Sequence, residues 1–243
     1  MRPLCIAHRG APLAAPENTA PAFRRALRDG ADAIECDVRL TRDGRVVVIH
    51  DDRLERTTNG RGWVHRHTQA QLRRLDAGRW FAPAYRGTRL PTVTEAVRLV
   101  RGRATLHIEL KPRRGTHRRL AERVIAELRR AGKRPSVVIS SFNLAALRAC
   151  RQLHDRVPLA VLCTRRPQAA LASARRLRAV ALHPHHRLVT QRLVQRCHAQ
   201  NLRIHPWTVD ELPRMRQLLR WGVDGLYTNH PARLRGLLRT WRP

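Results

Sequence analysis

Residues 33 to 51 read Ala33-Ile34-Glu35-Cys36-Asp37-Val38-Arg39-Leu40-Thr41-Arg42-Asp43-Gly44-Arg45-Val46-Val47-Val48-Ile49-His50-Asp51, and this stretch decides the fold. Two apolar runs rich in β-branched residues flank Thr41-Arg42-Asp43-Gly44. Asp-Gly between such runs is the strongest short-range signal for a hairpin. The run 46–49 is therefore predicted to fold back on 33–38 and not to join it through a helix. Outward from this hairpin, further strand-like runs lie at 4–7, 105–110, 137–140, 158–163, 179–183, 203–207 and 225–228. Amphipathic helical segments fill most of the gaps, among them 19–29, 118–131, 143–153, 190–199, 210–219 and 232–238. Alternating strands and helices imply parallel strands with helical crossovers. With 46–49 set aside as a hairpin arm, eight β/α units remain in 243 residues. That count fits a TIM (β/α)8 barrel, which typically takes about 250 residues. A single domain over 1–243 is expected, with a small insertion after the second strand at about 51–90. The insertion is polar, carries Gly60, Gly62, Gly78 and Gly87, and is placed over the barrel mouth.

Composition narrows the function classes. The chain is 42% hydrophobic, which supports a full core and argues against disorder. No apolar run approaches the 18 residues of a membrane-spanning helix, and the apolar stretch near Met1 is too short for a signal peptide. Five cysteines, an odd number without Cys-x-x-Cys, argue against a disulfide framework or a zinc finger. Cys5, Cys36 and Cys163 read as small buried thiols, and a cytoplasmic protein is expected. The net charge is +31, yet only Lys111 and Lys133 are lysines. An excess made almost wholly of arginine reads as a coding bias spread over the surface. It leaves a weak attraction to phosphates and anionic surfaces. No specific nucleic-acid partner is expected, because the few aromatics are not interleaved with arginine as a stacking platform.

Active sites of such barrels sit at the C-terminal ends of the strands. Those ends carry His8-Arg9, Glu35 and Asp37, Glu109 and Lys111, Ser140-Ser141, His183, Trp207-Thr208 and Thr228-Asn229, with His50-Asp51 added by the hairpin. Glu35 and Asp37 are two apart on one strand, so both face the interior. With Glu109 they form an oxygen-donor trio suited to a hard divalent cation, Mg²⁺ or Ca²⁺; the competing reading is an ion pair with Lys111 or a rim arginine. His8 and His50 are the acid/base candidates, and Arg9 and Lys111 supply positive charge for a phosphoryl group. The run His183-Pro184-His185-His186 imitates a metal cluster but is assigned to a solvated rim.

The ordered set of motifs resembles the glycerophosphodiester phosphodiesterase family. It comprises His8-Arg9-Gly10, Pro16-Glu17-Asn18-Thr19, Glu35-x-Asp37-Val38, Thr41-x-Asp43-Gly44, His50-Asp51 and Arg56-Thr57-Thr58. It continues through Leu90-Pro91-Thr92, Glu109-x-Lys111, Ser140-Ser141-Phe142, Trp207-Thr208-Val209 and Gly222-x-Asp224-Gly225. The resemblance implies a TIM barrel that cleaves glycerophosphodiesters to glycerol 3-phosphate and an alcohol with a divalent cation. By motif position, Glu35, Asp37 and Glu109 would be metal ligands, His8 and His50 catalytic, and Arg9 and Lys111 phosphate-binding. Trp207 would pack on the glycerol or the leaving group. Glu17 and Asn18 would shape the loop that positions His8, with Asn18 or Thr19 near the cap of the first helix.

Two departures stand out. The family's Thr-Asp-x-Pro near the last strand reads Thr228-Asn229-His230-Pro231 here, and His107 stands where Asn is expected. A lysophospholipase D-like substrate choice shares the same residues. A non-catalytic basic anion-binding barrel would keep the charge without needing the carboxylates, which are costly to bury unused.

Overall fold

The computed structural model describes residues 2–132 and 136–241; Lys133 lies outside them. The chain runs β1 (Leu4–Ala7), α1 (Ala20–Arg28), β2 (Ala33–Leu40), β3 (Val46–Val48), α2 (Gln69–Leu72), α3 (Val93–Val100), β4 (Thr105–Leu110), α4 (His117–Arg130) and β5 (Val137–Ser141). It continues with α5 (Leu144–Leu153), β6 (Leu159–Cys163), α6 (Pro167–Arg176), β7 (Ala181–Pro184), α7 (Gln191–His198), β8 (Arg203–Ile204), α8 (Leu212–Arg220), β9 (Gly225–Thr228) and α9 (Pro231–Thr240). The strands pair in the order β8-β7-β6-β5-β4-β2-β1-β9, all parallel, and β3 lies antiparallel on β2. The hairpin is thus the one predicted, with Leu40 opposite Val46 and Gly44 in the left-handed region at φ +68°.

Eight parallel strands form a nearly closed TIM barrel. Asp224 N–H donates to the Ile204 carbonyl at 3.1 Å, and Tyr227 N–H to that of Pro206 at 3.0 Å, which brings β8 and β9 together. β8 is shorter than the predicted run 203–207. Pro206 has no N–H to offer the ladder, so regular pairing stops at Ile204 opposite Leu182. The outward residues of each strand (Ile34, Cys36 and Val38 on β2; Leu106, Ile108 and Leu110 on β4) pack against the helices in one core. Residues beyond His50 cover a separate small core of Val47, Ile49, Leu54, Val64, Leu72, Ala77 and Leu90. Two capping boxes, Thr68 with Gln71 and Thr92 with Glu95, start α2 and α3. All five cysteines are buried and unpaired.

The barrel interior departs from the expected rim placement of His183. Its side chain is 0% exposed, and its Nδ1 lies 3.0 Å from the Tyr227 hydroxyl, which is 2.7 Å from His107 Nδ1. His183 Nε2 lies 3.1 Å from His205 Nδ1, so three imidazoles and a phenol form one buried chain. Only His185 and His186 of that run reach the surface loop. Burial pushes His107 down to about 4 and holds His183 and His205 well below the usual imidazole range. The unfolded chain takes up these protons near pH 6.5 and the folded one resists them, so stability is lost as pH falls from about 6.5 toward 4. For His107 alone the loss is about 2 kcal/mol at pH 5. Urea midpoints measured from pH 7.5 to 5 are expected to drop steadily; a flat profile would contradict neutral burial of the three histidines.

Candidate active site

The β1–α1 loop places the first group of residues. Arg9 and Gly10 both take positive φ, +55° and +87°, and a Cβ on Gly10 would lie 2.8 Å from Ala22. Only glycine satisfies both conditions there. The fold turns Arg9 so that its backbone N–H donates to Glu35 Oε2 at 2.8 Å, while its guanidinium reaches Glu17 at 2.9 Å and Asp37 at 3.4 Å. Asn18, at φ +57°, donates from Nδ2 to Asp37 Oδ2 at 2.8 Å and accepts from the Asp37 N–H at 3.2 Å. Asn18 therefore anchors β2 and does not cap α1. Thr19 holds the cap position, but its hydroxyl donates to the Pro16 carbonyl, and no side chain caps that helix.

Glu35, Asp37 and Glu109 converge at the barrel mouth, each offering a carboxylate oxygen within 4.8 Å of the others. Lys111 Nζ sits 2.6 Å from Glu109 and 3.2 Å from Asp37. Burial would raise Asp37, but Lys111 and Arg9 outweigh it and hold its carboxyl well below the usual range. Burial and the neighbouring Asp37 push Glu109 up to about 7, and burial with both other carboxylates raises Glu35 well above normal. Asp37 Oδ1 is buried and accepts no hydrogen bond, with only the Lys111 ammonium nearby. The trio thus has oxygens to spare for a cation, and an all-oxygen donor set fits a hard one.

Two imidazoles border this cluster, each with its Nδ1 engaged. His50 Nδ1 lies 2.6 Å from Asp51 Oδ1, and Arg56 binds Asp51 at 2.5 Å and Glu17 at 2.7 Å. A chain therefore runs from His50, hydrogen-bonded to Asp51, through the ion pairs of Asp51 with Arg56, Arg56 with Glu17, Glu17 with Arg9 and Arg9 with Asp37. The bond from Arg56 does most to lower Asp51, to about 2. His8 Nδ1 lies 2.8 Å from Asn229 Oδ1. Asp210, which sequence reading did not single out, accepts from Asn229 Nδ2 at 2.7 Å, from Asn229 N–H at 2.8 Å and from the Thr228 hydroxyl at 2.9 Å. A carboxylate only accepts, so it fixes the Asn229 amide and leaves Oδ1 facing His8. His8 must then carry its proton on Nδ1 and keep Nε2 free. Burial and then Arg9 lower His8 to about 4, and burial lowers His50 despite Asp37.

His8, Arg9, Glu35, His50, Glu109 and Lys111 line one cavity of about 150 Å³ together with Phe142, Trp207 and Tyr227. Asp37 sits beneath them, bonded but not lining it. Trp207 donates from Nε1 to the His183 carbonyl at 2.8 Å, and Phe142 meets it edge-on with centroids 5.5 Å apart. Every predicted site residue is thus in one place. Asn229, flagged in the sequence as a departure from the family motif, joins them. Asp210 and Tyr227 do so without a motif of their own, since their roles depend on partners far away in sequence.

The chain is similar to known proteins over nearly its whole length. The profile of the Glycerophosphoryl diester phosphodiesterase family matches residues 8–233. A glycerophosphodiester phosphodiesterase of Caldanaerobacter subterraneus subsp. tengcongensis is 37% identical over 240 residues, covering 98% of this chain and 99% of the relative. One from Bacillus subtilis is 35% identical over 248 residues, covering 95% and 84%. An Oleispira antarctica phosphodiesterase, solved in complex with the product sn-glycerol-3-phosphate, superposes with a TM-score of 0.93 at 28% identity, covering 98% of both chains.

The Asp210–Asn229–His8 relay is open to direct test. ¹⁵N spectra of labelled histidines, with His8 assigned from His8→Ala, are expected to show the Nδ1–H tautomer. In Asp210→Asn the Asn229 amide is free to turn, and part of the His8 signal should move to Nε2–H. An unchanged tautomer in Asp210→Asn would remove Asp210 from the relay.

Proposed function

Because the chain belongs to the glycerophosphoryl diester phosphodiesterase family, we propose that it hydrolyses glycerophosphodiesters to glycerol 3-phosphate and an alcohol, using a divalent cation and two histidines. The observation that carries this reading is the convergence of Glu35, Asp37 and Glu109, with the buried Asp37 Oδ1 accepting no hydrogen bond. These three residues would hold Mg²⁺ or Ca²⁺. Such an ion, when bound, neutralises charge on the phosphoryl oxygens and lowers the pKa of an attacking hydroxyl.

The chain's own residues account for the rest. Arg9 and Lys111 bind the phosphodiester, and their present contacts with Asp37 and Glu109 keep both ammonium and guanidinium at the mouth. His8 and His50 are both neutral at pH 7, and each has Nδ1 committed to a partner. Each therefore exchanges protons at Nε2. One, as the neutral imidazole, takes the proton of the attacking hydroxyl. The other, protonated to the imidazolium once the phosphodiester's negative charge is bound beside it, gives its Nε2 proton to the departing alkoxide. A P–O bond to the alcohol breaks as one to the attacking oxygen forms. Trp207 and Phe142 give the cavity an apolar wall against which the glycerol packs. No helix among the described residues is long and apolar enough to cross a membrane. The five unpaired thiols favour a reducing, cytoplasmic setting.

Release of glycerol 3-phosphate from glycerophosphoglycerol is expected with Mg²⁺ or Ca²⁺ and should stop in EDTA. His8→Ala and His50→Ala should each lower kcat by about 10²–10⁴-fold while leaving the circular dichroism intact. Near-normal turnover in either variant would sink its acid/base assignment. Glu109→Gln should raise the metal concentration needed for half-maximal rate; an unchanged requirement would take Glu109 off the ligand list.

A further inference from the structure

A second cavity, of about 190 Å³, shares Lys111 with the catalytic one. Besides Lys111 it is lined by Arg39, Arg42, Arg113 and Arg119, against a single acid, Asp52. Among the described residues none of these four arginines forms an ion pair. A surface coding bias explains exposed arginines, but not Arg39. That residue follows Asp37 by two on β2, is half-buried, and donates from Nε to the His50 carbonyl at 2.8 Å. A partly desolvated guanidinium without a carboxylate partner is costly unless an anion completes it. The Arg119 guanidinium lies over Gly44, which leaves it the room a side chain there would take.

The position of this cavity gives it a role. Lys111 lines both cavities, and Arg39 of the second one is bonded to the backbone of His50, which lines the first. An alcohol arm directed past Lys111 would enter it. Building on the phosphodiesterase reading, we infer that this cavity is the leaving-group subsite and that it selects diesters whose alcohol arm is itself anionic, a phosphorylated alcohol above all. A cationic arm such as choline would meet five positive charges and one negative there.

A matched pair of substrates tests this: glycerophosphoglycerol, and the same diester carrying a phosphate on one glycerol. Water adds to the diester phosphorus, and the P–O bond to the leaving arm breaks. If the phosphorylated glycerol leaves, the products are two glycerol phosphates; if the plain glycerol leaves, they are free glycerol and a glycerol bisphosphate. At low salt the expected result is two glycerol phosphates and a kcat/KM at least about tenfold above that of glycerophosphoglycerol, the effect of one charge-assisted contact. The ratio should fall toward one in the double variant Arg42→Gln, Arg113→Gln, and also as salt rises. Equal kcat/KM for the two diesters, release of free glycerol, or a ratio unmoved in the double variant would each overturn the subsite. Failure of both diesters to react would instead remove the phosphodiesterase reading on which the subsite rests.

Discussion

Three carboxylates brought to one point inside a barrel cannot all stay ionised without positive charge among them. Here the oxygens of Glu35, Asp37 and Glu109 come within 4.8 Å of one another, and much of the surrounding structure answers that repulsion. Arg9 and Lys111 lean on Asp37 and keep it ionised, while burial and the neighbouring carboxylates raise Glu35 and Glu109, the latter to about 7. Asn18 clamps the Asp37 side chain and backbone at once. The left-handed turns at Arg9, Gly10 and Asn18 exist to deliver these contacts from one short loop.

The same charges bind the segment after the hairpin to the barrel. Arg56 lies in the segment after the hairpin, yet it joins Asp51, beside His50, to Glu17, beside Arg9. Tyr85 of that segment donates to the Ala14 carbonyl at 2.8 Å, a second tie to the β1–α1 loop. His50 is thereby set by residues on two separate pieces of chain, whereas His8 is set from the far end through Asn229 and Asp210. Asparagine in place of the family's aspartate does not leave His8 without a negative charge. Asp210 supplies it one residue removed, with the amide passing on orientation.

Legibility in the sequence followed the range of the interactions. The hairpin was readable because Asp43 and Gly44 act on their immediate neighbours, and β1, β4 and β9 match their predicted runs to the residue. The site carboxylates were readable because strand periodicity alone places Glu35 and Asp37 on one face. His183 was misplaced because burial of a histidine depends on partners such as Tyr227 and His205, which adjacent residues do not announce. Asp210 left no local signal either: it precedes a helix in a polar loop, and its partners lie on β9 and just beyond it.

If the carboxylate trio is a cation site, filling it competes with protons, whose affinity for Glu35 and Glu109 is raised by burial and by the neighbouring carboxylates. Calorimetric titration of the purified chain with Mg²⁺ or Ca²⁺ at pH 7, repeated in buffers of different ionisation enthalpy, counts those protons. Binding is predicted with proton release, and with affinity that rises with pH. Binding without proton release, or binding left intact in Glu35→Gln with Glu109→Gln, would contradict the account.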